Sequence, residues 1–274
     1  MSLSAFRLYI RILFLLLVSC GFCQETHARK EKKTEKKVLP VAAAMPVPDP
    51  VVSVPRNHSN LAPVPEYNLL SDADYLLREG IDVSHYQGDI DWSEVAKQGD
   101  VSYVYIKATE GASLVDDRYE YNIAEARKYG LKVGSYHFFR GNVSVEEQIA
   151  NMVSTVRKDR QDLIPIVDVE HTNGVSSSVF LSRLHQFMEA VRKHYGVSPM
   201  LYTFVNFYNK HLHGNGFDGY PLMIAFYRDD QPLLNDERPY AIWQYTARGR
   251  IPGIRGNVDR SKFMDGFTIS DISF

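Results

Sequence analysis

Short runs of hydrophobic and β-branched residues alternate with longer amphipathic stretches from about residue 71 onwards. Such runs, bounded by turn residues, predict strands, and stretches with a period near 3.6 residues predict helices. The predicted strands are Gly80–Val83, Val101–Ile106, Leu131–Phe139, Ile164–Val169 and Met200–Phe204. The predicted helices are Asp91–Lys97, Tyr119–Tyr129, Val145–Arg157 and Val179–Tyr195. Strands separated by helices of this length are typical of parallel βαβ units.

Capping residues support the boundaries of these helices. Gly130 and Gly196 follow two of them, at the position where glycine commonly ends a helix. Ser144, with Glu147 three residues later, forms a capping-box pattern at the start of another.

The last third of the chain has a different pattern. Strands are predicted at Leu222–Phe226, at Tyr240–Tyr245 and in a short segment near Asn257–Val258. Gly, Pro and Asp occupy the connections between them, so we expect few helices there. Five β/α units followed by three strands give eight strands, enough to close a barrel. The predicted fold is therefore an α/β protein with an irregular TIM-like barrel, over residues 71–274.

Residues 1–23 resemble an export signal. Arg7 and Arg11 precede an apolar core at Ile12–Val18, which is too short to span a bilayer comfortably. The four residues that end in Cys20 resemble the bacterial lipobox, in which the Cys becomes the lipidated first residue of the mature chain. Cleavage after Cys23 by an ordinary signal peptidase is the alternative.

Residues 24–70 are predicted to form a disordered tether rather than a folded domain. Arg29–Lys37 is rich in Lys, and seven prolines follow between positions 40 and 65 without an amphipathic period. Such a segment is extended and semi-rigid, and it would suit a spacer between a membrane and the cell wall.

Composition excludes several classes of function. The net charge of −2 argues against a nucleic-acid partner, which requires an excess of Lys and Arg. The folded part has no Cys, no glycine-rich phosphate loop and no His spacing typical of zinc, so we predict neither a metal nor a cofactor. The 17 Tyr and 14 Phe residues suit a cleft that grips a ring-shaped, hydroxylated ligand, although most of these rings are expected in the core.

The strongest chemical feature is the pair Asp168 and Glu170 at the end of an apolar strand. Side chains alternate along a strand, so the two carboxyl groups would face the same side. The carboxyl ends of barrel strands form the active-site rim. Two acids in a partly dry pocket do not both ionise freely, and one of them can then serve as a general acid. Glycosidic bond cleavage requires such an acid.

Other polar and aromatic residues also lie where strands should end. Asp82 interrupts the apolar first strand, and Asp259 follows the last predicted one. Lys107 would bring a cation to the same rim, and Tyr136, Trp243 and Gln244 complete this group.

Seven motifs together resemble glycoside hydrolase family 25, the lysozymes of the N,O-diacetylmuramidase type. In chain order they are Gly80–Gly88, Tyr105–Gly111, Gly134–Phe138, Asp168–Glu170, Leu201–Thr203, Ile242–Tyr245 and Gly256–Asp259. The resemblance implies a (β/α)5β3 barrel that hydrolyses the β-1,4 bond between N-acetylmuramic acid and N-acetylglucosamine in peptidoglycan glycan strands, without a metal.

The resemblance also implies roles for individual residues. Glu170 matches the catalytic acid/base. Asp168 matches the residue that assists a mechanism in which either the substrate's 2-acetamido group or a carboxylate stabilises the reacting carbon. Asp82 and Asp259 match acids that line the same pocket. Aromatic wall positions are matched by Tyr136, Tyr202 and Trp243. Met223 departs from the family, many members of which have Trp there, so one sugar subsite would lack a stacking face.

Two alternatives remain at this stage. A non-catalytic barrel of this fold would bind peptidoglycan and tether the envelope, and a related enzyme would act on chitin. We expect a monomer, whose contact with the membrane would depend on a lipidated Cys20.

Overall fold

Nine strands form one sheet in the computed structural model of the protein, which describes residues 79–274. Their bounds are β1 Glu79–Val83, β2 Tyr103–Glu110, β3 Leu114–Val115, β4 Lys132–Phe138, β5 Ile166–Asp168, β6 Met200–Phe204, β7 Leu222–Ala225, β8 Ile242–Gly249 and β9 Val258–Phe263. The predicted export signal, the tether and the first residues of the predicted domain lie outside the described residues.

Eight of these strands close into a barrel, because β1 pairs with both β2 and β9. The two-residue strand β3, which the sequence analysis did not predict, pairs only with β2. Apart from β3, which is antiparallel to β2, neighbouring strands from β1 to β8 run parallel in chain order. The predicted eight-stranded α/β barrel is therefore confirmed.

Helical segments follow each of the first five barrel strands. They are α1 Trp92–Lys97, α2 Tyr119–Lys128, α3 Val145–Thr155, α4 Ser177–Tyr195 and α5 Val205–Phe207, which continues as a π-helix over Tyr208–Leu212. Asp91 caps α1 by accepting hydrogen bonds from the backbone N–H groups of Ser93 and Glu94. Residues 226–241 and 250–257 contain no helix, so β7, β8 and β9 follow one another through loops.

The last strand differs from the prediction. We expected a short segment near Asn257–Val258, whereas β9 runs over six residues, Val258–Phe263. It is antiparallel to both of its neighbours, β8 and β1. Because its direction is reversed, the first residues of β9 lie at the same rim as the last residues of the parallel strands.

Tyrosine rings fill the lower part of the barrel. Tyr103 and Tyr105 are completely buried, and each ring lies against a glycine of a neighbouring strand, Gly80 and Gly134. A Cβ atom at either glycine would overlap the tyrosine ring. These glycines therefore leave room for two large side chains inside the barrel. The two tyrosine rings close the barrel below its carboxyl-terminal rim.

A second hydrophobic layer separates the barrel from the helices. It includes Ile106, Val133 and Val167 on the outside of the strands and Phe187 and Val191 on α4. Within residues 79–274, no helix has both the length and the apolarity that a membrane span requires.

Candidate active site

A cavity of about 190 Å³ lies at the carboxyl end of the barrel strands. Its lining consists of Asp82, Ser84, Tyr86, Tyr105, Lys107, Tyr136, Phe138, Ile166, Asp168, Glu170, Tyr202, Met223, Tyr227 and Asp259. All four acids singled out from the sequence therefore meet in one hollow. Lys107, Tyr136 and Tyr202 also line it, as does Met223, the position at which the sequence departs from the family pattern.

Asp168 and Glu170 enter this cavity from the end of β5. The strand ends at Asp168, and Glu170 lies two residues beyond it. Asp168 is only 7% exposed, and its Oδ1 atom has no hydrogen-bond partner within the described part of the chain. A buried oxygen without a partner is costly, so this atom is suited to accept a donor from a ligand.

Burial sets the protonation of these two carboxyl groups. It raises the pKa of Asp168 well above its usual value, and the nearby charges of Glu170 and Asp82 act in the same direction, while Lys107 opposes them. Burial also raises the pKa of Glu170, against the opposing influence of His171. The Nε2 atom of His171 lies 3.9 Å from Glu170 Oε2. A carboxyl group with a raised pKa retains its proton closer to neutral pH and can donate it.

Asp82 and Asp259 form a second acid pair across the closing seam of the barrel. The two residues are direct neighbours in the antiparallel pairing of β1 and β9. Burial, followed by the charge of Asp259, raises the pKa of Asp82 well above its ordinary range. Burial also raises the pKa of Asp259 to about 6, although a hydrogen bond with Asp82 opposes this rise. Two carboxyl groups joined by a hydrogen bond are expected to share one proton.

Gln244 connects this acid pair to two tyrosines but does not line the cavity itself. Its side-chain oxygen accepts hydrogen bonds from Tyr202 Oη at 2.9 Å and Tyr227 Oη at 2.7 Å. Its Nε2 atom donates to both carboxyl oxygens of Asp82, at 3.0 and 2.9 Å. Because two hydroxyl groups occupy the amide oxygen, the NH₂ group must face Asp82. Gln244 therefore acts as a positioning residue rather than as a wall of the pocket.

A β-bulge determines the surroundings of Lys107. The register of β2 against β4 shifts between Lys107 and Thr109. One extra residue in β2 turns Thr109 outwards, where its Oγ1 lies 2.8 Å from His137 Nδ1. Glu110 instead joins Lys107, whose Nζ atom donates to it at 2.6 Å. Arg140 pairs with the same carboxylate, so Lys107 and Arg140 share the single negative charge of Glu110 beside the cavity.

Trp243 lies on the opposite face of β8 from Gln244. Side chains alternate along a strand, so the inward direction of Gln244 requires Trp243 to point away from the barrel interior. Its Nε1 atom donates to the backbone oxygen of Phe226 at 2.9 Å. Trp243 lines a separate groove and not the acidic cavity, in contrast to the position expected from the family resemblance.

Two tyrosines at the mouth of the cavity were not selected from the sequence. Tyr86 is 81% exposed and follows Ser84, whose hydroxyl accepts a hydrogen bond from the Tyr86 backbone N–H. Tyr227 is 44% exposed and follows β7. Exposed aromatic faces beside a polar cavity are suited to contact the apolar faces of sugar rings. Tyr86 lies within the Gly80–Gly88 motif and Tyr227 directly follows the predicted strand Leu222–Phe226, and these placements were the available signal.

One group of described side chains has donors close enough for a metal ion. Ligand atoms of His85, Asp116 and Asp117 lie within 4.8 Å of one another. The oxygens of Asp116 already accept hydrogen bonds from the backbone N–H groups of His85 and Arg118. His85 Nδ1 lies 2.7 Å from the same carboxylate. These contacts fix the loop that follows β1, and they account for the proximity of the three residues.

Comparisons with known proteins agree with this geometry. Residues 81–254 match the model of a family described as "Glycosyl hydrolases family 25". The chain is 36% identical to the Escherichia coli (strain K12) protein YegX over 205 residues, which cover 73% of this chain and 74% of YegX. It is 32% identical to Lysozyme M1 of Streptomyces globisporus over 221 residues, or 76% and 75% of the two chains. A family 25 glycosyl hydrolase structure from Bacillus anthracis superposes with a TM-score of 0.63 at 32% identity, covering 70% of this chain and 91% of that protein.

Proposed function

The chain belongs to glycosyl hydrolases family 25 and is a glycoside hydrolase, and we propose that it is a muramidase that cuts the β-1,4 bond between N-acetylmuramic acid and N-acetylglucosamine in peptidoglycan. The main support is the meeting of Asp168 and Glu170 in one cavity at the carboxyl rim of the barrel. This arrangement combines a proton donor with an acceptor for a substrate group. A site for binding alone would gain nothing from four mutually repelling acids.

In the proposed reaction, Glu170 donates its proton to the glycosidic oxygen as the bond from C1 to that oxygen breaks. The carbonyl oxygen of the substrate's own 2-acetamido group attacks C1 and forms a cyclic oxazolinium intermediate. The Oδ1 atom of Asp168 accepts the acetamido N–H and stabilises the positive charge that develops there. This role is supported by the absence of another partner for Oδ1 among the described residues.

Water completes the reaction. The Glu170 carboxylate takes a proton from a water molecule, whose oxygen adds to C1 and opens the ring of the intermediate. The acetamido group is restored, and Glu170 again holds a proton. Two displacements at C1 retain the anomeric configuration, as substrate-assisted glycosidases do.

Product analysis tests this proposal. The full-length protein is incubated with purified peptidoglycan, and the fragments are reduced with borohydride and identified by mass spectrometry. A muramidase yields fragments that end in reduced N-acetylmuramic acid. Fragments that end in reduced N-acetylglucosamine would contradict the assigned bond. Binding without any new reducing ends would favour a non-catalytic barrel, and faster cleavage of chitin oligomers would favour a chitin-directed enzyme.

We further propose that the enzyme is exported, with residues 1–23 as the signal and Cys20 as the site of lipid attachment, and that it acts as a monomer. The lipobox-like residues before Cys20 support this assignment, and they lie outside the described residues. Mass spectrometry of the mature N-terminus tests it, with Cys20→Ser and Cys23→Ser as paired variants. Loss of the lipid in the Cys20 variant alone is expected. Cleavage after Cys23 in the wild-type protein would contradict lipidation.

A further inference from the structure

A second groove, of about 630 Å³, lies beside the catalytic cavity on the outer side of β8 and β9. Its lining includes Tyr227, Arg228, Trp243, Tyr245, Arg248 and Lys262. Tyr227 also lines the acidic cavity, so its side chain forms a wall common to both spaces. A ligand seated in the cavity therefore lies directly next to this groove.

The groove exists because helices are missing from this part of the barrel. The outer faces of the first strands pack against helices, but the connections on either side of β8 are loops without helices. Trp243 and Tyr245, which point outwards from β8, are therefore covered by side chains instead. The Nζ atom of Lys262 lies 4.8 Å from the ring centre of Trp243 and 5.7 Å from that of Tyr245.

Three cations in this groove lack an acidic partner. Within residues 79–274, no carboxylate lies in salt-bridge distance of Arg228, Arg248 or Lys262. Arg260 of the same strand as Lys262 shows the contrast, because it pairs with Glu79 at 2.8 Å and Asp100 at 2.9 Å. Asp229 is the one acid among the groove's lining residues. The groove thus presents a positive surface beside a cavity lined by four acids.

We propose that this groove binds carboxylate groups of the peptide that branches from N-acetylmuramic acid. This inference rests on the proposed action on peptidoglycan, whose glycan chain is uncharged but whose peptides carry free carboxylates. The acidic cavity repels these carboxylates, whereas unpaired Arg and Lys side chains attract them. The lactyl group of muramic acid directs its peptide away from the sugar ring, and the common wall at Tyr227 gives that peptide a short path into the groove.

The test compares two substrates that differ only in their peptides. Peptidoglycan is first freed of phosphate-containing polymers. One half is treated with an amidase that removes the peptides, and the lactyl carboxylates that this hydrolysis exposes are converted to methylamides, so that the stripped glycan carries no anionic group. The full-length wild-type protein is compared with the triple variant Arg228→Gln, Arg248→Gln, Lys262→Gln. Lys193→Gln serves as the control, because Lys193 is an exposed cation on α4 and lines neither space.

We expect the triple variant to lose about fivefold to thirtyfold in kcat/KM on peptide-bearing glycan, since each exposed ionic contact contributes modestly. Its activity on the stripped glycan and the activity of the control variant should remain at the wild-type level. Equal losses on both substrates, or no loss on either, would overturn the proposal. The wild-type rate on stripped glycan is a separate measure of the muramidase function. A wild-type enzyme inactive on both substrates would therefore refute the proposed function itself.

Discussion

The two faces of strand β8 lie in opposite electrostatic environments. Gln244 points inwards and donates to Asp82 in a cavity where acids crowd together. Trp243 and Tyr245 point outwards beneath the Lys262 ammonium group, in a groove where cations lack partners. Inside, burial and the neighbouring carboxyl groups raise the pKa values of Asp82 and Asp168. Outside, cations without an acidic partner among the described residues can attract anions. One strand thus separates the proposed site of proton transfer from the proposed surface for charge recognition.

The largest effect is expected from Glu170→Gln in the cavity. Gln keeps the size of the side chain but has no acidic proton to transfer, so kcat should fall about 10²- to 10⁴-fold. Release of reducing ends from peptidoglycan measures the rate, and thermal unfolding checks that the fold is intact. Because the Glu170 side chain is 22% exposed and lies at the rim, the melting temperature should change little. A variant with full activity would remove Glu170 from the mechanism.

A smaller loss is expected from Gln244→Leu, which breaks the connection between the two tyrosines and the acid pair. Loss of a hydrogen bond to a charged group should lower kcat about tenfold to a hundredfold. Gln244 donation lowers the pKa of Asp82, so its removal should move the ionisation of the acid pair to higher pH.

The control for this change is Tyr227→Phe, which removes only one of the two donors to the Gln244 oxygen. It should leave the pH profile of kcat almost unchanged. If Gln244→Leu lowers the rate without shifting the profile, Gln244 contributes to packing alone.

The crowded acids should reduce the free energy of unfolding of the protein. Burial raises the pKa of Asp259 from 3.8 to about 6. A carboxyl group whose pKa is raised by folding stabilises the folded state through its bound proton. This stabilisation is complete below about pH 4 and is lost as the pH rises through 6. Asp259→Asn should therefore increase the free energy of unfolding at pH 7 by roughly 1–3 kcal/mol and give little gain at pH 4.

Denaturant titrations at both pH values measure this difference. Lys262→Gln in the groove is the matched comparison, and it should show no such dependence on pH. A loss of stability at pH 7 in Asp259→Asn would show that the acid pair holds the barrel seam together.

The smallest effect concerns ionic strength. Attraction by exposed cations is screened by salt, whereas proton transfer inside the cavity is not. The ratio of the kcat/KM of the wild-type protein to that of the groove triple variant on peptide-bearing glycan should shrink about twofold to fivefold between 0.01 and 0.15 M NaCl. Rates measured across this range provide the test. An advantage independent of salt would mean that the groove does not act through charge.

Much of the fold could be predicted because the pattern is local. The strand runs and the capping residues Ser144, Gly130 and Gly196 place the helices within a few residues of their observed bounds. Loops after β7 and β8 follow from Gly, Pro and Asp in the connections. The bulge in β2 was not predicted, because it depends on the pairing with β4 rather than on the residues of β2 alone.

The sequence alone determined the eight-stranded barrel and the family and identified the four acids as candidates for the site, since hydrophobic periods and ordered motifs are properties of the chain itself. Only the tertiary structure decided what each residue faces. The reversal of β9 brings Asp259 against Asp82, and the bulge directs Glu110 to Lys107. Alternation along β8 separates Gln244 from Trp243. These outcomes depend on strand direction and register, which are set by contacts between segments far apart in the chain.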